Sequence, residues 1–148
     1  MELKNKKAIV IGGSKGIGAK IAKELKKLKI KTLACSRKEI DTSSLESVIK
    51  LIKKYPQIDI LVLNSGGPPP LSFNKIKIQD WKKYFNQLFL SFFLLLQKIK
   101  VKKNGYIFYI SSSIIKEPGS SLVISSSLRS AMSSLLKSYS IENSKNNI

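Results

Sequence analysis

The residues best placed to do chemistry lie near the N-terminus, where Gly12-Gly-Ser-Lys-Gly16-Ile-Gly18 follows the apolar run Lys7-Ala-Ile-Val-Ile11. Glycines let a backbone turn tightly. They also let a diphosphate approach the first N–H groups of a following helix, where the helix dipole favours negative charge. Behind a buried strand and ahead of an amphipathic helix, the loop reads as a dinucleotide cradle built from Gly12, Ser14, Lys15, Gly16, Ile17 and Gly18. The next strand ends Cys35-Ser36-Arg37-Lys38, with no acid there to accept from a ribose 2′-hydroxyl. Arg37 can fork onto a 2′-phosphate and Lys15 adds charge, so the expected cofactor is NADP(H), with NAD(H) less favoured.

Other chemistries are excluded by composition. The 148 residues include no His and one Cys, Cys35. Ser-His-Asp triads, His-ligated metals, Cys-cluster metals and internal disulfides are therefore all absent, and a reducing cytoplasmic setting is expected. The net charge of +18 comes almost entirely from lysine, the two arginines being Arg37 and Arg129. Such charge suits a nucleic-acid binder. The lysines are spread along the chain rather than grouped with aromatics, so a solvated lysine-rich surface is the reading taken, with no specific nucleic-acid partner. No apolar run is long enough for a signal-peptide core or a bilayer span.

The cradle needs elements to hold it. Lys7–Ile11, Ile30–Cys35, Ile58–Leu63 and Tyr106–Ile110 read as buried strands. Ile17, Ile21, Leu25 and Leu28 fall on one face of a first helix. A second helix runs from Thr42 to Lys54, with Leu45, Val48, Ile49 and Ile52 inward and Ser43 and Glu46 at capping-box spacing. Gln79–Lys98 forms a long helix, and a last helix runs from about Leu122 to Ile141. This alternation predicts one α/β domain over residues 1–148, a doubly wound parallel sheet with helices on both faces.

The GxxxGxG spacing resembles the fingerprint of the short-chain dehydrogenase/reductase family. Asp59-Ile-Leu-Val-Leu-Asn64-Ser-Gly66-Gly is similar to the family strand that ends in Asn-Ala-Gly. Trp81 and Ile110-Ser-Ser-Ser113 also stand where the family has counterparts, and the resemblance covers residues 6–148. It implies a Rossmann-type fold, Asn64 and Gly66 at the cofactor, and hydride exchange between the nicotinamide and a small carbonyl or alcohol. Asp41 is similar to the family's adenine-contacting Asp and reads equally as a helix-start residue. Between Cys35 and Ile58 there is room for one helix only, so an edge strand is expected to be missing, with spatial order 2-1-4-5 in the family's strand labels.

In the family a Tyr supplies the proton, a Lys one turn later holds the nicotinamide ribose, a Ser polarises the carbonyl and an Asn supports a proton relay. By this resemblance Ser112 matches the Ser. The Tyr position falls on Ser125, the Lys position on Arg129 and the Asn position on Leu88. Ser125 and Arg129 keep the i,i+4 spacing, and Arg129 can still reach ribose hydroxyls. Ser125 is a poor general acid beside a phenol. Tyr139 lies too far along its helix to substitute, and Tyr109 reads as a core strand residue. The Gly66-Gly-Pro-Pro run, Ile115-Lys-Glu-Pro118 and the Ser/Arg pair resemble a divergent subgroup similar to 3-oxoacyl carrier-protein reductases. Two expectations remain open: an oxidoreductase with atypical catalytic residues, or a dinucleotide-binding scaffold without turnover. The family continues past the point reached at Ile148, so the C-terminal strands are expected to be absent. The apolar stretch Phe85–Leu96 and the last helix correspond to the family's subunit-contact surface, so a homo-oligomer is expected.

Overall fold

Apolar runs with no alternation form strands covered on both faces, and the computed structural model, which describes residues 3–148, places four of them side by side. β1 (Lys7–Val10), β2 (Lys31–Ala34), β3 (Gln57–Leu63) and β4 (Lys100–Tyr109) form one parallel sheet in the order β2-β1-β3-β4. This is the order expected for the family with its edge strand missing. The helices are α1 (Gly16–Lys27), α2 (Leu45–Lys54), α3 (Ile78–Phe85), α4 (Ser91–Lys98) and α5 (Val123–Glu142). A π turn over Asn86–Leu90 joins α3 to α4.

β1 is followed by a crossover to one side and β2 by a crossover back past it. Right-handed connections therefore place α1 and α2 on opposite faces. The packing agrees. Ala22 of α1 covers Ala8, Val10, Ile60 and Val62, while α2, α4 and α5 cover Ile9, Leu61 and Leu63 through Val48, Leu51, Phe92, Leu95 and Met132. The strand order reverses between β1 and β3, and the C-terminal ends of the strands open a crevice there, as such sheets do at a switch point. Among the described residues, no helix is long and apolar enough to cross a membrane.

Four local expectations are corrected. α1 buries Gly18 and Ala22 and leaves Ile17 and Leu28 exposed, because small residues let the helix lie close on the sheet. α2 buries Val48 and Leu51, with Ile49 exposed. The cap of α2 is Ser44, whose side chain accepts from the Ser47 N–H at 3.3 Å, because Ser43 donates its N–H and hydroxyl to the charged Asp41 carboxylate at 2.9 and 2.7 Å. β4 starts at Lys100 rather than Tyr106: Val101 pairs with Ile58 before residues 102–105 bulge out and Tyr106 resumes against Ile60. The polar Lys102-Lys-Asn-Gly105 segment disguised that start. Asp59 anchors it, accepting from the Lys7 N–H at 2.8 Å with the Lys102 ammonium 3.5 Å away.

Candidate functional site

The glycine loop is pinned at several points. The Ile11 N–H donates to the Val62 carbonyl at 2.9 Å and the Gly13 N–H to the Cys35 carbonyl at 2.7 Å, which ties the loop to β3 and β2. The Asn64 side-chain amide donates to the Gly12 carbonyl at 3.1 Å, so the end of β3 braces the loop across the crevice. Gly12 takes φ +61°, and a Cβ there would lie 2.7 Å from the Asn64 carbonyl oxygen. A Cβ on Gly18 would drive into the Gly12 carbonyl oxygen and lie 2.7 Å from the Asn64 amide nitrogen. The spacing therefore serves one end: it seats the start of α1 directly on the loop.

That start is bare. Lys15 stands at the N-cap without a side-chain bond, and the first turn carries no acidic residue, whereas α2 is capped by Ser44. The first amides of α1 thus lack the side-chain acceptor that normally satisfies one of them. A cavity of about 760 Å³ lies beside the loop, within the usual size of small-molecule and cofactor sites. Ser14 and Lys15, Arg37 and Asp41, and Asn64 and Gly66 reach it from the ends of β1, β2 and β3. Lys83 and Gln87 close it from the long helix. Bare helix amides, close backbone and the cations Lys15, Arg37, Lys38 and Lys83 form a donor set that fits a dinucleotide diphosphate. A larger cavity, about 890 Å³, sits at the opposite end of the sheet between α4, α5 and the start of β4, and the loop takes no part in it.

The corner after β2 holds both charge signs. The Asp41 carboxyl is held below its usual range, chiefly by the Ser43 hydroxyl and amide, with Arg37 and Lys83 adding to this. Ser36 and Glu39 form a capping box around one turn. Glu39 accepts from the Ser36 N–H at 2.7 Å and the Ser36 hydroxyl at 2.6 Å, while Ser36 Oγ accepts from the Lys38 N–H at 3.0 Å. These bonds hold the Glu39 carboxyl below its usual range. Ile40 anchors the turn in the core. The sequence reading passed over Glu39, although Ser-x-x-Glu is a local pattern that announces it.

Gln87 also went unnoticed. Its side-chain amide donates to the Gly66 carbonyl at 2.7 Å and to Ser65 Oγ at 3.1 Å. The family's Asn position, counted along the sequence from Trp81, falls on Leu88, which lies in the π turn and is buried with Tyr84, Ile124 and Leu128. An amide one residue from an apolar side chain at a position the family keeps polar was the available signal.

The expected catalytic residues are divided. Arg129 is buried, and its guanidinium donates to three oxygens: Ser125 Oγ at 3.2 Å, the Ile110 carbonyl at 2.9 Å and the Ser65 carbonyl at 3.1 Å. Among the described residues no carboxylate pairs with it. It clamps the ends of β3 and β4 to α5, and neither it nor Ser125 lines the cavity. Ser125 is buried beside Gly67, where an added Cβ would come within 3.4 Å of its hydroxyl. Ser112 is half-buried ahead of the 3-10 turn Ser113–Ile115, also outside the cavity lining. The Tyr109 hydroxyl is buried near Arg129 without a hydrogen bond of good geometry, and burial pushes its pKa up against the pull of the guanidinium. Ile17 projects into solvent from the first turn of α1.

The family model of the short chain dehydrogenases matches residues 40–148. This chain belongs to the short chain dehydrogenase family. The match begins after the glycine loop, so the loop is an independent indication. Solved structures agree in fold. A short-chain dehydrogenase/reductase from Serratia marcescens superposes with a TM-score of 0.83 at 21% identity, covering 99% of this chain and 76% of that one. A 7α-hydroxysteroid dehydrogenase complexed with NADH and a 7-oxo bile acid superposes with a TM-score of 0.79 at 25% identity, covering 98% and 68%. A blue fluorescent protein from a metagenomic library, complexed with NADPH, gives 0.77 at 18% identity, covering 99% and 72%. No curated protein matches the sequence. In this short chain dehydrogenase the Asn64 amide braces the glycine loop, and Ser125 and Arg129 form a buried clamp on α5.

Proposed function

We propose that this protein is an NADP(H)-dependent oxidoreductase acting on a small carbonyl or alcohol. The observation that carries the reading is the bare start of α1 opening onto a cavity that Lys15 and Arg37 also reach. Bound there, the cofactor supplies or accepts a hydride. Gly12 and Ser14 bring backbone close to the diphosphate, Gly16 and Gly18 shape the turn that seats α1 behind it, and Lys15 neutralises it. Arg37 meets the 2′-phosphate, and Asp41, Asn64 and Gly66 line the remaining length. That relatives of this fold are solved with NADPH and with NADH supports a nicotinamide dinucleotide. A reducing, cytoplasmic setting is part of the same reading and suits the buried Cys35 thiol.

Proton handling separates two outcomes. Ser125 Oγ accepts from the Arg129 Nε–H, which polarises the hydroxyl and leaves its own proton to donate; Ser112 is the second hydroxyl the family resemblance assigns to the chemistry. The burial of Ser125 and the three bonds on Arg129 favour the second reading, a dinucleotide-binding protein that does not turn over. Fluorescence titration with NADPH tests the binding, and saturable binding is expected. NADPH consumption across a panel of aldehydes and ketones then separates enzyme from binder. A folded sample without saturable binding would refute both readings.

A further inference from the structure

We propose that Glu39 sets the cofactor preference of this site by competing with the 2′-phosphate for the hydrogen-bond donors of Ser36. The inference rests on the dinucleotide reading above. Ser36 is the second residue beyond β2 and lines the cavity beside Arg37 and Lys38. A phosphate at this corner would be met by the two cations and by the N–H and O–H of Ser36. Both of those donors already point at one oxygen of Glu39, at 2.7 and 2.6 Å. A phosphate must displace that carboxylate or sit against it, charge to charge. A ribose 2′-hydroxyl faces no such conflict, because it can donate to a carboxylate.

The held geometry gives the competition its strength. Ser36 Oγ accepts from the Lys38 N–H, and the Glu39 and Ile40 amides donate to the Ser36 carbonyl, so the turn presents Ser36 and Glu39 as one unit. The carboxyl is held below its usual range by the same bonds and stays charged at neutral pH. Glu39 does not itself line the cavity; it acts on the site through Ser36, reaching back three residues to occupy both of that residue's donors. Arg37 and Lys38 draw the site towards NADP(H), and Glu39 holds that preference down.

The test is direct binding of NADPH and NADH to the wild-type protein and to E39Q, by fluorescence or calorimetry at fixed low salt. Gln keeps an oxygen for the Ser36 N–H, so the turn is retained while the charge is lost. The expected result is NADPH affinity raised roughly five- to tenfold with NADH affinity changed less than about twofold, an effect that shrinks as salt rises. E39A, checked for folding by circular dichroism, should shift the ratio of the two affinities in the same direction. An unchanged ratio in E39Q, or equal weakening of both cofactors, would overturn the role of Glu39 and leave dinucleotide binding standing. Failure of the wild-type protein to bind either cofactor would overturn both.

Discussion

Arg129→Met is the substitution that most directly questions the Ser–Arg clamp. The guanidinium donates to Ser125 Oγ and to the Ile110 and Ser65 carbonyls at 2.9–3.2 Å, inside the protein and, among the described residues, without a carboxylate partner. Hydrogen bonds from a charged donor are worth about 1.5–3 kcal/mol each, and a buried acceptor left unpaired costs about 1–3 kcal/mol. Against this, removing an unpaired buried charge returns part of its desolvation penalty. The balance is a loss of about 2–4 kcal/mol. For a chain of this length that corresponds to a fall in Tm of roughly 4–16 °C. Arg129→Lys keeps the charge but has no fork to span three oxygens, and should lose about 1–2 kcal/mol. Urea melts followed by far-ultraviolet circular dichroism and by the fluorescence of the single Trp81 measure both. If Arg129→Met lies within about 0.5 kcal/mol of wild type, the guanidinium does not tie β3 and β4 to α5 and the reasoning fails.

Gly18→Ala places a methyl against the Gly12 carbonyl and the Asn64 amide; the start of α1 must move off the loop, and NADPH affinity in a titration should fall at least about tenfold for a folding cost of about 1–3 kcal/mol. Gln87→Leu removes the bonds to Gly66 and Ser65; it should weaken NADPH binding roughly three- to tenfold while lowering stability by only about 1 kcal/mol, read by paired titration and urea melt. Burial, helped by the charge of Glu39, pushes the Cys35 thiol up to about 12 from an ordinary 9.0, so a thiol reagent at pH 8 should modify it only after unfolding. Its folded pKa lies above its unfolded one, so its contribution is complete below pH 9 and is lost as pH rises towards 12. Relative to Cys35→Ala, the wild-type protein should lose about 2 kcal/mol by about pH 10.5, measured by urea melts at stepped pH.

The sequence alone determined the alternation of strands and helices, the glycine loop and the room for only one helix after Cys35. Each of these is local or nearly so: an apolar run wide enough to be buried on both faces, a glycine spacing that only a tight turn before a helix requires, and a stretch after Cys35 too short for two crossovers. The order of the four strands came from the family resemblance, because right-handed crossovers fix which face each helix takes and not which strands are neighbours. The tertiary structure decided what each side chain does. Arg129, which the resemblance assigns to a ribose, donates to two carbonyls that lie 19 and 64 residues away in sequence and meet only once β3 and β4 are side by side. Gln87, within the π turn, donates to Ser65 and Gly66 at the site while its neighbour Leu88 packs into the core. Ile17 faces solvent because Gly18 and Ala22 let α1 settle closer to the sheet than its larger apolar residues would. Periodicity reports which residues share a face, but it cannot rank the partners competing for a donor, and that ranking depends on groups the chain brings together only when folded.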